Sequence, residues 1–273
     1  MFEDILVVIK GAGDLASGVG FRLFRCGFPV VMTEIAEPTP VRRPVSFAEA
    51  VYVGETSVEG VVAKLVQSIE EIEPVLRQGK IPVIVDPKAR VVAALRPRVV
   101  VDAIIAKRNV GTRITDAPVV IGLGPGFTAG VDVHAVVETN RGHYLGRVIL
   151  DGSAEPNTGV PGVVGGYGVE RVLRGPTEGR LVPVASIGDF VKKGDLIARV
   201  DGEPVIAPFD GVLRGLVREN IAVFKDMKIG DVDPRAARQH CFTISDKALA
   251  VGGGVLEAIL MLLKRSDRID KGV

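Results

Sequence analysis

The residues of this chain best suited to chemistry lie between Pro118 and Val148, PVVIGLGPGFTAGVDVHAVVETNRGHYLGRV, where an apolar stretch meets a glycine-rich turn and then charged side chains. Gly122, Gly124 and Gly126 permit backbone conformations and close approaches that side chains block, so N–H groups there can face an oxyanion. Thr128 adds a hydroxyl donor, and Arg141 adds a charged fork for a phosphate or an oxo group without any metal ligand set. His134 supplies a titratable group, and Glu138 an acceptor to orient it. A strand places Asp132, His134 and Glu138 on one face, and a helix also pairs His134 with Glu138. His134, Glu138 and Arg141 are therefore the catalytic candidates. The competing structural readings are a satisfied core histidine and a local Glu138–Arg141 ion pair.

A second constellation stands near the start of the chain. The apolar run Ile5 to Ile9 meets Gly11-Ala12-Gly13-Asp14-Leu15-Ala16, which fits the dinucleotide-binding turn G-x-G-x-x-[G/A]. Leu15, Val19 and Leu23 recur every fourth residue, as do Ala16, Gly20 and Phe24, so the spacing predicts a helix from the turn to near Gly27. A strand from Pro29 to Thr33 then ends at Glu34, roughly twenty residues past the glycines, where a carboxylate accepts hydrogen bonds from ribose hydroxyls. Gly11, Gly13, Asp14 and Glu34 thus join Gly122, Gly124, Gly126 and Thr128 as cofactor-binding candidates. Lys10 is placed to help hold a phosphate. Arg42-Arg43 lies on a Pro-rich loop, Pro38 to Pro44, either as a solvated pair or as an anion contact over the crevice.

These residues need a scaffold. The pattern from Val58 to Gln78 reads as a helix broken at Pro74, and Pro82 to Val85 and Val99 to Ile105 read as strands carrying Asp86 and Asp102. Gly152 to Gly162, GSAEPNTGVPG, is a linker or an ordered site loop. Shifting the chain by 32 residues aligns Pro176 with Pro208, Gly179 with Gly211, Leu181 with Leu213, Val191 with Val223, Ile197 with Ile229 and Val200 with Val232. Each copy is a string of short β segments, so two four-stranded halves interleave into a small barrel. GDFVKKGDLIARV followed by APFDGVL resembles the biotinyl and lipoyl carrier domains. The hairpin that bears the modified lysine in those carriers is here Asp201-Gly202-Glu203-Pro204, so no cofactor arm can be attached. The expected fold is α/β: a Rossmann-like domain over 1–165, an all-β barrel-sandwich (biotinyl/lipoyl-like) domain without a carrier lysine over 166–245, and a C-terminal helix and tail over 246–273.

Composition removes several function classes. With 47% hydrophobic residues among 273, the chain can bury a full core, and a net charge of +1 with no run of five like charges argues against nucleic acid or an anionic membrane as partner. Trp is absent and 5% of residues are aromatic, which disfavours a stacking platform. The apolar segment Ala248 to Leu263 is shorter than the roughly 18 residues of a membrane span and reads as a packed helix. Cys26 and Cys241 form no metal-binding spacing, and with no charged-then-apolar leader the expected compartment is a reducing cytoplasm. Cys26 reads as packing. Cys241 sits in a strand-like segment as a structural thiol, unless it carries sulfur or selenium.

The motifs KGAGDLASG, VVMTEIAEPTPVRRPVSFAEAVY, GLGPGFTAGVDVHAVVETNRGHYLGRV, KIGDVDPR and CFTISDKALAVGGGVLEAIL resemble the accessory proteins of selenium-dependent molybdenum hydroxylases, the YqeB-type family. The resemblance covers nearly the whole chain. It implies a role in maturing a molybdenum hydroxylase as protein partner, by handling the molybdenum cofactor, a molybdopterin dinucleotide, or placing selenium on it. Two other readings stay open. The G-x-G-x-x-A turn and Glu34 favour an NAD(P)-dependent oxidoreductase, which lacks an evident Tyr-Lys or His-Asp hydride-transfer set, and a non-catalytic assembly scaffold needs neither ligand. Whether the chain is an enzyme or forms a homo-oligomer is not encoded in these motifs.

Overall fold

The computed structural model describes residues 2–270, with side chains described as far as Lys264. Its centre is β1 (Val7–Lys10), buried along its whole length because both faces of the sheet are covered. The chain continues through α1 (Asp14–Arg25), β2 (Val30–Glu34), α2 (Ala50–Val53), β3 (Glu55–Val58), β4 (Val61–Val66), α3 (Ile72–Arg77), β5 (Ile81–Val85), α4 (Val91–Leu95) and β6 (Val99–Asp102). Then come β7 (Val119–Leu123), β8 (Thr128–Ala129), β9 (Ala135–Val137), β10 (Val148–Ile149) and β11 (Gly152–Ser153). Nine of these strands form one sheet in the order β10-β9-β7-β6-β1-β2-β5-β4-β3. The strands from β9 through β4 in that order run parallel, and the two edge strands run antiparallel. The order reverses direction between β1 and β6, which opens a crevice beyond their carboxyl ends.

Alternation along the strands sends Val7, Ile9, Val101 and Ile121 to one face and Val8, Val31, Val100 and Val120 to the other. The first face packs on α1 and on a long helix, α5 (Asp246–Asp270), through Val19, Leu23, Val251, Val255 and Ile259. The C-terminal helix is therefore part of the sheet's core. Glycines let the two helices touch backbone to backbone: a Cβ at Gly18 would stand 2.8 Å from the Ala248 carbonyl oxygen. Overpacking there outweighs the gain in helix propensity, so Gly18→Ala is expected to lose roughly 1–2 kcal/mol of stability in urea unfolding.

The later strands form a β module: β12 (Val172–Arg174), β13 (Gly179–Pro183), β14 (Phe190–Val191) and β15 (Leu196–Val200), then β16 (Glu203–Ile206), β17 (Gly211–Leu216), β18 (Ala222–Val223) and β19 (Lys228–Asp233). Its two sheets run β12-β19-β17-β14 and β16-β15-β13-β18. Exchanging each strand with its partner in the other sequence copy converts one order into the other, so the 32-residue repeat is a pseudo-twofold exchange of strands between sheets. Leu181, Leu213, Ile197 and Ile229, paired by the repeat, share one core. The β15–β16 turn has positive φ at Asp201 (49°) and Gly202 (85°), the geometry of a two-residue hairpin.

The fold corrects some expectations. Val58 to Gln78 is not one helix: Glu59 (φ 46°) and Gly60 (φ 84°) turn β3 into β4, and only Ile72–Arg77 is α-helical. The β-branched run Val58, Val61, Val62, Val66 favours the strands, and Pro74 sits in the first turn of α3, where its missing N–H costs nothing. Cys26 is exposed, not packed, and Cys241 is buried in a 3-10 turn, not a strand. Its Sγ faces the Leu213 carbonyl, and burial pushes the thiol up. No helix of the described residues is long and apolar enough to cross a membrane, and among them no group of His, Cys, Asp or Glu is arranged to hold a metal ion.

Candidate functional site

Beyond β1, the chain turns sharply into α1. Gly11 takes φ 94° and lies so near the end of β6 that a Cβ would stand 3.1 Å from the Ala103 carbonyl oxygen. Gly13 is the N-cap of α1, and no side chain caps the helix. A Cβ on Gly13 would meet no atom within 4 Å beyond its chain neighbours, because the residue borders an open crevice of about 500 Å³. Glu34, Asp86, Ile104 and Val110 also line it. Glu34 Oε2 accepts from the Ala12 N–H at 2.9 Å and Oε1 from the Ile35 N–H at 2.8 Å. Burial raises the Glu34 carboxyl above its ordinary value, and these two N–H groups work against that shift. Each oxygen keeps lone pairs for a further donor. The arrangement suits a phosphate at the uncapped helix start and a hydroxylated ring beside Glu34.

Lys10 does not reach this crevice. Its Nζ is held by Thr112 Oγ1 at 3.0 Å and Asp116 Oδ2 at 2.9 Å, so it ties the carboxyl end of β1 to the loop before β7. Arg42 and Arg43 are not a solvated pair. Arg42 is 7% exposed, clamps Asp14 at 3.2 and 3.0 Å, and donates to the His240 and Thr243 carbonyls. Arg43 Nε donates to the Leu216 carbonyl at 2.8 Å. The Pro-rich loop thus fastens the β module to the sheet. Between them lies a second cavity, also about 500 Å³, whose wall includes Glu155 to Gly162. The glycine- and proline-rich segment is a site loop, not a linker. Asp14, Leu15 and Ile105 border both cavities.

The central stretch is placed otherwise than its residue types suggested. Gly122, Gly124 and Gly126 turn their open sides to protein: a Cβ would collide with the Phe127 ring, with Thr139 and with the Arg108 backbone respectively. Thr128 donates its N–H to Asp132 and pairs its hydroxyl with Ser153 at 3.1 Å. His134 Nδ1 accepts the Val120 N–H at 3.0 Å, which keeps that nitrogen unprotonated, and burial holds the imidazole below its ordinary pKa. Glu138 is 2% exposed and accepts the N–H groups of Asn140 at 2.6 Å and Glu155 at 2.7 Å. Neither hydrogen-bonds the other, so the expected His134–Glu138 pair does not form. Of the predicted residues in this stretch, only Arg141 reaches the second cavity, beside Pro125, Thr139 and Asn140.

Arg141 pairs with Asp246 at the start of α5, at 2.8 and 2.9 Å, and not with Glu138. This guanidinium is the main cause that pulls the Asp246 carboxyl well below the ordinary carboxylate range. A depressed carboxylate contributes stability above its unfolded pKa and loses it as pH falls through the folded value. Solvent screening limits the exposed pair to about 1 kcal/mol at most. Arg141→Ala is therefore expected to cost that much at pH 7 and to flatten the loss of stability below about pH 4, read by denaturant unfolding across pH.

Sequence reasoning missed Arg171, Arg214, Lys228 and Lys247, which line the second cavity from the β module and α5. One signal was available, since Arg214 interrupts the otherwise apolar, fully buried strand GVLRGL.

Fold and cavities define a mixed α/β protein with a large mixed sheet, a module of antiparallel sheets and a C-terminal helix, whose concave sites face the carboxyl edge of the large sheet. The chain is similar to the uncharacterized protein YqeB of Escherichia coli (strain K12), 51% identical over 268 residues that cover 98% of this chain and 50% of that protein. It spans about half the length of YqeB, and the match supports the YqeB-type family. No family model matches the chain. An aspartoacylase family protein from Mesorhizobium loti aligns at 12% identity and a TM-score of 0.25 over 84% of each chain. The apo ectoine utilization protein EutE (DoeB) from Ruegeria pomeroyi aligns at 11% identity and a TM-score of 0.23, over 85% of this chain and 86% of that one.

Proposed function

We propose that the chain binds a nucleotide-containing molybdenum cofactor, or its precursor, and serves as an accessory protein in maturing a selenium-dependent molybdenum hydroxylase. The observation that carries the binding half is the Gly13 turn: it borders open space at the strand-order reversal, beside an uncapped helix start and Glu34. This is where Rossmann-like sheets take dinucleotides. Gly13 and the N–H groups opening α1 would hold the pyrophosphate, and Glu34 the ribose. The bound cofactor would supply the molybdenum and pterin chemistry, while the residues here bind and orient it. The maturation half rests on the motif resemblance alone, since the similar YqeB is itself uncharacterized. The β module, whose strand exchange fits a barrel-sandwich domain without a carrier lysine, would dock on the hydroxylase. Glu34 equally suits NAD(P), which makes an oxidoreductase the second reading. Protein purified from its native host separates the two: pterin fluorescence with molybdenum supports the first, and stoichiometric NAD(P) supports the second. A protein that carries neither and binds neither on titration would be an assembly scaffold.

A further inference from the structure

The second cavity is strongly basic in a chain that is nearly neutral. Its wall carries eight lysine and arginine side chains against three carboxylates, whereas the whole chain has a net charge of +1. Two of the three carboxylates are already engaged by hydrogen bonds. Arg42 holds Asp14 at 3.0 Å, and Glu155 accepts from Asn140 Nδ2 at 2.5 Å. Asp231 stands 3.6 Å from Arg171 and 3.9 Å from Arg214, beyond hydrogen-bond reach of either. Arg171 is 8% exposed, yet its Nε and Nη1 have no hydrogen-bond partner in the protein. Buried donors in that condition cost desolvation that the Asp231 carboxylate, at ion-pair but not hydrogen-bond distance, offsets only in part.

Two lysines sharpen the imbalance. Among the described residues, neither the Lys228 nor the Lys247 ammonium group has a hydrogen bond or an ion pair within the protein. Lys228 stays open to solvent inside the cavity but is crowded by protein. That crowding lowers its pKa, with Arg171 and Arg214 adding to the effect and Asp231 opposing it. Lys247 is likewise lowered, first by burial and next by Arg141. A network that merely pinned the β module to the sheet would pair its charges. This one gathers like charges around a cavity, an arrangement that costs stability until an anion arrives.

We propose that this cavity is a binding site for a phosphate or pyrophosphate group, gripped by Arg171, Arg214, Lys228 and Lys247. Asp233 also stands 3.7 Å from Arg214 but is taken up by Arg235, so two guanidinium forks and two ammonium groups offer more donors than Asp231 can accept, and they match the several oxygens of a phosphoryl group. The group could arrive free, or as the phosphate chain of a dinucleotide seated in the neighbouring crevice, because the two cavities meet at Asp14, Leu15 and Ile105. Only the second source rests on the function proposed above.

The test is calorimetric titration with pyrophosphate, and separately with a dinucleotide, of the wild type, Lys228→Ala, Lys247→Ala, their double variant and Gly13→Val. Each lysine variant is expected to weaken phosphate-dependent binding roughly tenfold or more. Each should also melt at the same temperature or higher, since like-charge repulsion is relieved. Gly13→Val that keeps pyrophosphate and loses dinucleotide marks a free-oxyanion site. If pyrophosphate alone is weak and dinucleotide affinity falls in both Gly13→Val and the lysine variants, one ligand spans both cavities. A wild type that binds pyrophosphate but no dinucleotide would sink the nucleotide reading and leave this one standing. Unchanged affinity for both ligands in the double variant, or no binding of either ligand by the wild type at millimolar concentration, overturns the proposal.

Discussion

Gly13→Val is expected to fold with an unchanged melting temperature and to lose roughly 100-fold or more in dinucleotide affinity, about 2.7 kcal/mol. The two halves of that expectation have separate causes. Gly13 has φ −69° and ψ −173°, ordinary extended backbone that any residue adopts, and a Cβ there meets no atom within 4 Å beyond its chain neighbours. No tertiary contact therefore requires a glycine at this position. The space is needed only if a ligand's phosphates approach the backbone. Gly11 provides the contrast: its φ of 94° and the Ala103 carbonyl at 3.1 Å make Gly11→Val a folding defect, seen as a lowered melting temperature. If Gly13→Val folds and still binds normally, the turn is only a turn.

Glu138→Ala is expected to cost about 3 kcal/mol in chemical unfolding, because two charge-assisted hydrogen bonds to a buried carboxylate are lost together. Its carboxylate ties the Asn140 amide to the Glu155 amide, joining the end of β9 to the loop that walls the basic cavity. Amide exchange should therefore accelerate at 139–141 and 154–162 while β1 and β6 stay protected. His134→Ala serves as a control: it removes one acceptor from the Val120 N–H and leaves that loop untouched. A Glu138→Ala protein as stable as the wild type would mean that these amides find other acceptors.

The strands and the first helix were legible because they obey local rules. Val7 to Ile9 and Val99 to Val101 are continuous apolar runs, as strands buried on both faces must be, and the glycine turn carries its own spacing. The hairpin at Glu59-Gly60 was not, since Val62, Leu65, Val66 and Ile69 mimic a helical stripe when strand, turn and helix are read as one. The repeat was visible at a distance of 32 residues because each copy supplies equivalent strands to both sheets of the β module. The basic cavity was hidden for the opposite reason. Arg42, Arg171, Arg214 and Lys247 belong to a loop, a turn, a strand and a helix far apart in the chain, and only the tertiary fold brings them to one wall. The central stretch misled because its glycines and polar side chains serve packing and backbone satisfaction, roles for which the same residue types are chosen.

The most direct test of nucleotide binding is hydrogen exchange of the purified chain, measured peptide by peptide with and without molybdopterin dinucleotide. Protection concentrated at 11–16 and 33–40, where the uncapped start of α1 and Glu34 face the crevice, is the result expected. No protection at saturating millimolar ligand, or protection confined to segments outside the crevice, would contradict the account.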